Sequence, residues 1–259
     1  MTIRTVVSGS GRMGRQVIQA VKAEPGFEAV AVIEGLTDVL DVDGLDVFGD
    51  PTTCISACSP DVIIDFTNAD WTPVVAREAL KSGVRLVIGT TGLPDEFKDW
   101  LRGEAESTKT GAVLAANFAL GAVLMMHFAR LAAPHFDAAE IIELHHDQKV
   151  DSPSGTAAAT AELMREARGE DFSHRESDRE PIKGARGAEA GGIAIHSVRL
   201  PGLVAHQEVL FGGLGQTLTI RHDSTGRDSF MPGVLLAARS VMELDRLVVG
   251  LDSLLGLES

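Results

Sequence analysis

Apolar and polar positions along the chain fall into two regimes. Through the first half, strand-length apolar runs alternate with stretches of helical spacing. Thr2 to Ser8 is a β-branched run ending at Gly9-Ser10-Gly11, and Arg12 to Ala23 then carries Met13, Val17, Ile18 and Val21 on one stripe. Pro25-Gly26 stops that helix, and Phe27 to Ile33 reads as a second strand. Further strands are predicted over Asp61 to Phe66, Leu86 to Ile88 and Ala112 to Ala115. Helices are predicted over Trp71 to Ser82, with Pro73 tolerated in the first turn, and over Leu93 to Ala105. Continuous apolar strands separated by helices mean a parallel sheet covered on both faces. Gly35 to Pro60 breaks the rhythm: it is acidic and without clear periodicity, so only short, irregular elements are expected there.

After Asn117 the pattern changes. Helices are predicted over Ala119 to Ala133, Ala157 to Ala167 and Pro232 to Leu244, with a strand over Ala138 to Leu144. Ile193 to Leu200, Leu203 to Phe211 and Gln216 to His222 follow as consecutive strands with turn signals between them, which predicts an antiparallel or mixed sheet. Gly169 to Gly192 holds six acidic and four basic residues and little apolar content, so it reads as a long exposed loop.

Composition narrows the function. The chain has 259 residues, 44% hydrophobic and 23% charged, as in ordinary globular proteins. Its 37 acidic against 23 basic residues give a net charge of −14. Such a surface repels phosphate backbones and anionic membranes, so nucleic-acid and lipid partners are not expected. It leaves room for an anionic small molecule, because a few local cations reverse the field in one cleft. No apolar run approaches the roughly 20 residues that span a bilayer. The N-terminus runs straight into a strand and shows no signal-peptide pattern, so a cytoplasmic location is expected. Cys54 and Cys58 are expected to be reduced thiols packed beneath a sheet, and no metal-ligand spacing is present.

Gly9-Ser10-Gly11-Arg12-Met13-Gly14 fits the dinucleotide fingerprint G-x-G-x-x-G in its proper place, between first strand and first helix. Gly9 allows the turn, Gly11 lets backbone approach a pyrophosphate, and the helix N-terminus offers N–H groups to it. The alternative is a glycine-rich turn without a ligand. Glu34, at the end of the second strand, is placed to accept from ribose hydroxyls and to repel a 2′-phosphate. Gly35-Leu36-Thr37 supplies no cation beside it, while Arg12 and Arg15 could partly compensate. Gly89-Thr90-Thr91-Gly92 and Ala115-Ala116-Asn117-Phe118 each follow a parallel strand, where doubly wound sheets bind ligands.

The segment Glu143-Leu144-His145-His146-Asp147-Gln148-Lys149-Val150-Asp151-Ser152-Pro153-Ser154-Gly155-Thr156 is the most informative. Histidine suits proton transfer near neutral pH, and Lys149 can orient or polarise an anionic or imine-bearing molecule. Ser154, Gly155 and Thr156 open a helix, a ready carboxylate site. The plainer alternative is a polar loop followed by a Ser cap. Arg227 could clamp a carboxylate or pair with Asp223 or Asp228. His196, His206 and His222 fall in strand patterns and read as structural.

Nearly end to end, the chain resembles the dihydrodipicolinate reductase family. The resemblance is carried by VSGSGRMGR, VIIDFT, VIGTTG, AANFALGAVLMMHFA, ELHHDQKVDSPSGTA, VRLPGLVAHQEVLFG and TIRHDSTGRDSFMPGVLLA. It implies a Rossmann-type doubly wound parallel sheet (residues 1–118 plus 228–259) and an inserted α/β domain on a mixed sheet (residues 119–227) for substrate binding and tetramerisation. It implies His145 as general acid/base with Lys149 as its partner, and His146, Ser154, Gly155, Thr156 and Arg227 on the two carboxylates of a cyclic imine dicarboxylate. The cofactor, NADH by preference or NADPH, would lie on Ser8, Gly9, Ser10, Gly11, Arg12, Met13, Glu34, Gly89, Thr90, Thr91, Ala115, Ala116, Asn117 and Phe118. Two departures stand out: Ser8 where the family's turn usually has Gly, and Ala116 where it usually has Pro. Two other readings remain beside this one, a related two-domain dehydrogenase of amino acids or semialdehydes and a nicotinamide-sensing binding module.

Overall fold

The computed structural model describes residues 2–35 and 41–257. Leu36 and Thr37, expected to offer no cation beside Glu34, lie outside them. In chain order the elements are β1 (Ile3–Ser8), α1 (Arg12–Ala23), β2 (Phe27–Ile33), β3 (Asp41–Val42), β4 (Leu45–Phe48), α2 (Pro51–Cys58), β5 (Val62–Asp65), α3 (Thr72–Lys81), β6 (Arg85–Ile88), α4 (Asp95–Thr108) and β7 (Ala112–Leu114). Then follow α5 (Leu120–Ala132), β8 (Ala138–His145), α6 (Gly155–Arg168), β9 (Ala188–Ala190), β10 (Ile193–Arg199), β11 (Ala205–Gly213), β12 (Gln216–Ser224), α7 (Met231–Ser240) and β13 (Leu247–Val249). The chain divides into two compact units, Met1–Ala119 with Phe230–Ser259, and Leu120–Ser229.

In the first unit the described strands run β13-β7-β6-β5-β1-β2-β4-β3. All neighbours are parallel except β3 against β4. The order reverses at β1, with β2 to one side and β5 to the other, so the sheet is doubly wound as expected. Val6, Ala31, Ile33, Ile63, Leu86 and Ile88 of the sheet form one core with Cys54 and Ile55 of α2, Val75, Ala76, Ala79 and Leu80 of α3, and Phe97 and Leu101 of α4. α1 buries Gly14, Val17, Ile18 and Val21.

The segment expected to be irregular contains α2, a helix with clear end signals. The Asp50 side chain accepts from Thr53 N at 2.7 Å, Pro51 stands at the first position, and Ser59 ends the helix with φ 44°. Both cysteines are free and sit on it, Cys54 buried and Cys58 half-buried. Burial, then the neighbouring Cys58, pushes the Cys54 thiol up to about 12, so it is a packing group rather than a nucleophile.

In the second unit the order is β12-β11-β8-β10-β9. β8 and β10 are parallel and the other pairs antiparallel, which makes the expected mixed sheet. Ala139 and Ile141 of β8, Ile193 and Ile195 of β10, and Val209 and Phe211 of β11 face Ala129 of α5 and Ala157, Ala161 and Met164 of α6. The residues two beyond Ile141 and two before Val209 are polar. Glu143 and Gln207 are therefore buried on the core side of the sheet, directly opposite each other. Gln207 donates to Thr160 Oγ1 at 2.8 Å. The stretch expected to be one long loop includes β9, an edge strand of three exposed residues.

Candidate active site

Parallel pairing places Ile33, Ser8, Asp65, Ile88 and Leu114 in one row across the first sheet. Each residue expected to hold a nucleotide follows or ends one of these strands, so all of them collect along the carboxyl edge. The turn after β1 is built for close approach. Gly9 has φ 101°, and a Cβ on Gly14 would stand 1.9 Å from the Gly9 carbonyl oxygen. A Cβ on Gly11 would meet no protein atom within 4 Å. Gly11 also begins α1 without a side-chain cap, leaving the helix N–H groups for a ligand.

Glu34 reaches back to this turn, where its Oε2 accepts from Ser10 N and Ser10 Oγ, both at 2.9 Å. Behind the turn after β6, Asp65 is fully buried. It accepts from Thr67 Oγ1 at 2.8 Å, Thr72 Oγ1 at 2.5 Å and Thr90 Oγ1 at 2.9 Å. Thr67 N donates to Thr90 Oγ1 at 3.1 Å. Three hydroxyls thus satisfy the carboxylate and lock Thr90 in place, while Thr91 and Ala116 are exposed to solvent. Asn117 Oδ1 accepts from Ala119 N at 2.9 Å, and Phe118 packs against Phe66 with centroids 5.3 Å apart. The Ser8 hydroxyl is buried with no partner among the described residues. A turn too tight for Cβ at Gly14, an uncapped helix start and an orphaned hydroxyl fit a bound dinucleotide.

In the second unit, β8 ends at His145 and residues 146–154 lead into α6. His145 Nδ1 lies 2.5 Å from Glu143 Oε2. Arg199 donates through Nη1 to Glu143 Oε2 and through Nη2 to Oε1, both at 2.7 Å. Ser154 N donates to Glu143 Oε1 at 3.1 Å, and the Ser154 hydroxyl caps α6 by accepting from Ala157 N at 3.1 Å. Lys149 Nζ donates to Asp151 Oδ1 at 2.7 Å. Burial alone would raise the Glu143 pKa, but hydrogen bonds from Arg199, Ser197 and His145 outweigh it and hold the group at about 2. Burial lowers the His145 pKa below its ordinary value. Glu143 opposes that shift, and the Lys149 and Arg199 charges add to it.

A family model described as dihydrodipicolinate reductase, N-terminus, matches residues 3–118, and one described as its C-terminus matches residues 121–255. The chain belongs to the dihydrodipicolinate reductase family. A 4-hydroxy-tetrahydrodipicolinate reductase of Geobacillus thermodenitrificans is 51% identical, covering 98% of this chain and 100% of its own. The protein of the same name in Bacillus subtilis is 47% identical over 98% of each chain. A solved dipicolinate-bound dihydrodipicolinate reductase from a Paenisporosarcina species matches with a TM-score of 0.89 and 44% identity, covering 98% of this chain and 99% of that one. An amine dehydrogenase of Mycobacterium smegmatis, at 15% identity, 93% coverage of each chain and a TM-score of 0.64, shares the fold alone.

Within this family frame, the structure brings His145 and Ser154 to the buried Glu143 carboxylate, while Lys149 is held by Asp151, whose carbonyl accepts from Arg199. Gly155 and Thr156 form the first turn of α6. His146 is exposed, and its carbonyl accepts from Lys149 N at 3.2 Å. Arg227 stands outside this hydrogen-bonded group, exposed in the single turn Arg227–Phe230. It pairs with neither Asp223 nor Asp228 among the described residues. Asp223 is taken instead by Arg221 at 3.0 Å and by His206 at 2.7 Å. His196 is bound to Glu140 at 2.9 Å. Among the described residues no group of His, Cys, Asp and Glu could hold a metal ion, and no helix is long and apolar enough to cross a membrane.

Sequence reasoning gave Glu143 and Arg199 no role. Both were visible, Glu143 at the head of the 143–156 segment and Arg199 inside VRLPG, but 56 residues separate them. Only the parallel β8–β10 pairing, with Arg199 opposite His145, brings them together.

Proposed function

We propose that the protein is a 4-hydroxy-tetrahydrodipicolinate reductase, an oxidoreductase that reduces a cyclic imine dicarboxylate with NADH or NADPH in the diaminopimelate route to lysine. Full-length relatives carrying that name at about half identity support the reading. The single observation that carries it is the segment from Glu143 to Thr156. It joins an imidazole backed by a carboxylate, an ammonium group and a capped helix start within one loop. A nicotinamide-sensing module would need the glycine turn but none of these groups.

A nicotinamide nucleotide would be held at the carboxyl edge of the first sheet by the turn Ser8 to Met13, by Glu34, and by Gly89 to Thr91 and Ala115 to Phe118; when bound it supplies the hydride. The chain's own residues do the rest. Gly155 and Thr156 present N–H groups, and Ser154 and Thr156 hydroxyls, to one substrate carboxylate, while the Ser154 N–H stays with Glu143. The dipole of α6 favours the carboxylate's charge. Arg227, forked and without an ion pair among the described residues, suits the other carboxylate, as does His146, exposed at the start of the 146–154 loop. Lys149, steadied by Asp151, polarises and orients the imine. His145 moves the proton at Nε2, its Nδ1 being engaged by Glu143. Water leaves the 4-hydroxy precursor first; hydride and proton then add across the conjugated system, so the product gains two hydrogens.

The preferred form is a cytoplasmic homotetramer assembled through the second unit's sheet. The exposed Leu214 and Leu218, on and beside β12, support an apolar contact there. Light scattering at working concentration tests the assembly: a monomer mass contradicts it. The activity itself is tested by reduced-nicotinamide oxidation with freshly generated 4-hydroxy-tetrahydrodipicolinate, where absence of turnover overturns the reading.

A further inference from the structure

Strand alternation forces an acidic side chain into an apolar layer. Glu143 shares a face of β8 with Ala139 and Ile141 and is 0% exposed. An ionised carboxylate there costs several kcal/mol unless it is paired and hydrogen-bonded. It is met from three directions, by Arg199 and Ser197 on β10, by the Ser154 N–H at the start of α6, and by His145 further along its own strand. Arg199 also donates from Nη2 to the Asp151 carbonyl at 2.9 Å, and Asp151 holds Lys149. One buried ion pair therefore touches the imidazole, the helix start and the loop that carries the ammonium group.

We propose that Glu143, kept ionised by Arg199, is a positioning residue for the reduction: it holds the His145 proton on Nδ1 and so leaves Nε2 to exchange a proton with the substrate. This rests on the reading of His145 as the proton-transfer group. A carboxylate that accepts from one imidazole nitrogen fixes the tautomer and the ring plane, and favours the imidazolium once it forms. The charged groups around the ring are Glu143 on β8, Arg199 at the end of β10, and Lys149 with Asp151 on the 146–154 loop. β11 places uncharged Ala205 opposite His145, and its next residue, His206, is held by Asp223. Of these, Glu143 alone contacts the ring with negative charge, so removing it leaves burial and two cations to depress the imidazole pKa.

The first measurement needs no variant at Glu143. Imidazole nitrogen NMR on histidine-labelled protein, with the His145 signals assigned from their loss in His145→Gln, reads the tautomer directly. Neutral His145 is expected as the Nδ1–H form; a dominant Nε2–H form overturns the proposal. In Glu143→Gln the His145 titration should move to lower pH, and the high-pH fall of kcat/KM should move with it. At pH 8 kcat/KM should fall by roughly 100-fold or more, the scale set by removing the carboxylate behind a catalytic imidazole. An unchanged His145 titration in a folded variant overturns the proposal. Glu143→Asp, which keeps the charge, should restore part of both. Normal turnover by His145→Gln overturns the underlying proton-transfer reading, and it is distinguished because the tautomer is read without any turnover.

Discussion

Glu34 closes over the glycine turn: its Oε2 accepts from both the backbone N–H and the hydroxyl of Ser10, each at 2.9 Å. The carboxylate is fixed beside the turn expected to carry the pyrophosphate. It also follows β2, where it is expected to face the adenosine ribose. At an effective dielectric of about 20, one unit of 2′-phosphate charge 4 Å from it would cost on the order of 4 kcal/mol, reduced by solvent and salt in an open cleft, and NADH carries no such group. NADH should therefore be preferred over NADPH by about tenfold in kcat/KM. Glu34→Gln, which can still accept from Ser10, should narrow the gap by improving NADPH. Steady-state kinetics with both nucleotides checks this; a wild type that prefers NADPH contradicts it.

His145→Gln should lower kcat by roughly 10²- to 10⁴-fold, the usual contribution of general acid–base catalysis, while nucleotide affinity barely changes. Lys149→Ala removes an ammonium that touches substrate and assists chemistry, so kcat should fall and KM should rise. A rise in KM alone would make Lys149 a binding residue only.

Arg227 is exposed and forms no ion pair among the described residues, so its loss should leave stability alone. Arg227→Met should nevertheless cost about 2 kcal/mol or more in kcat/KM, or about 30-fold, because a substrate carboxylate loses a charge-assisted bond. The melting temperature should stay within experimental scatter. Unchanged kinetics would remove Arg227 from the site.

The Glu143 pKa of about 2, against the usual 4.5, makes a statement about acid stability. Between those values the unfolded chain binds a proton that the folded chain does not. The contribution is complete above pH 4.5 and is lost as pH falls toward 2, amounting to about 3 kcal/mol at most. Denaturant unfolding at stepped pH should show this decline in wild type. Arg199→Met, which removes the partner that lowers the pKa, should be less stable at pH 7 and should flatten the decline. An unaltered slope in that variant would contradict the assignment.

The sequence was legible where structure is local. α1 and β2 have the limits that the hydrophobic stripe and Pro25-Gly26 predict, and Ser154 caps α6 as its position suggests. α2 was missed because Pro51–Cys58 shows little amphipathic contrast, although Asp50-Pro51 is a helix-start signal that could have been read. β13 has only three residues, and it is a strand because β7 pairs with it, which no local pattern encodes. At the site, the residues bearing the chemistry stand close together in one loop and were readable. Their distant partners were not: Arg199 reaches Glu143 by strand register, and Asp65 is met by Thr90 from 25 residues away as well as by its near neighbours Thr67 and Thr72.

Under the proposed function, the protein oxidises reduced nicotinamide with His145 as its proton-transfer group. The most direct measurement is loss of reduced-nicotinamide absorbance on adding freshly generated 4-hydroxy-tetrahydrodipicolinate, run in parallel for wild type and His145→Gln. Rapid, substrate-dependent oxidation by wild type that nearly disappears in the variant, with NADH binding equal in both, is the predicted result. NADH binding without oxidation by wild type, or equal oxidation by the two proteins, would contradict the account.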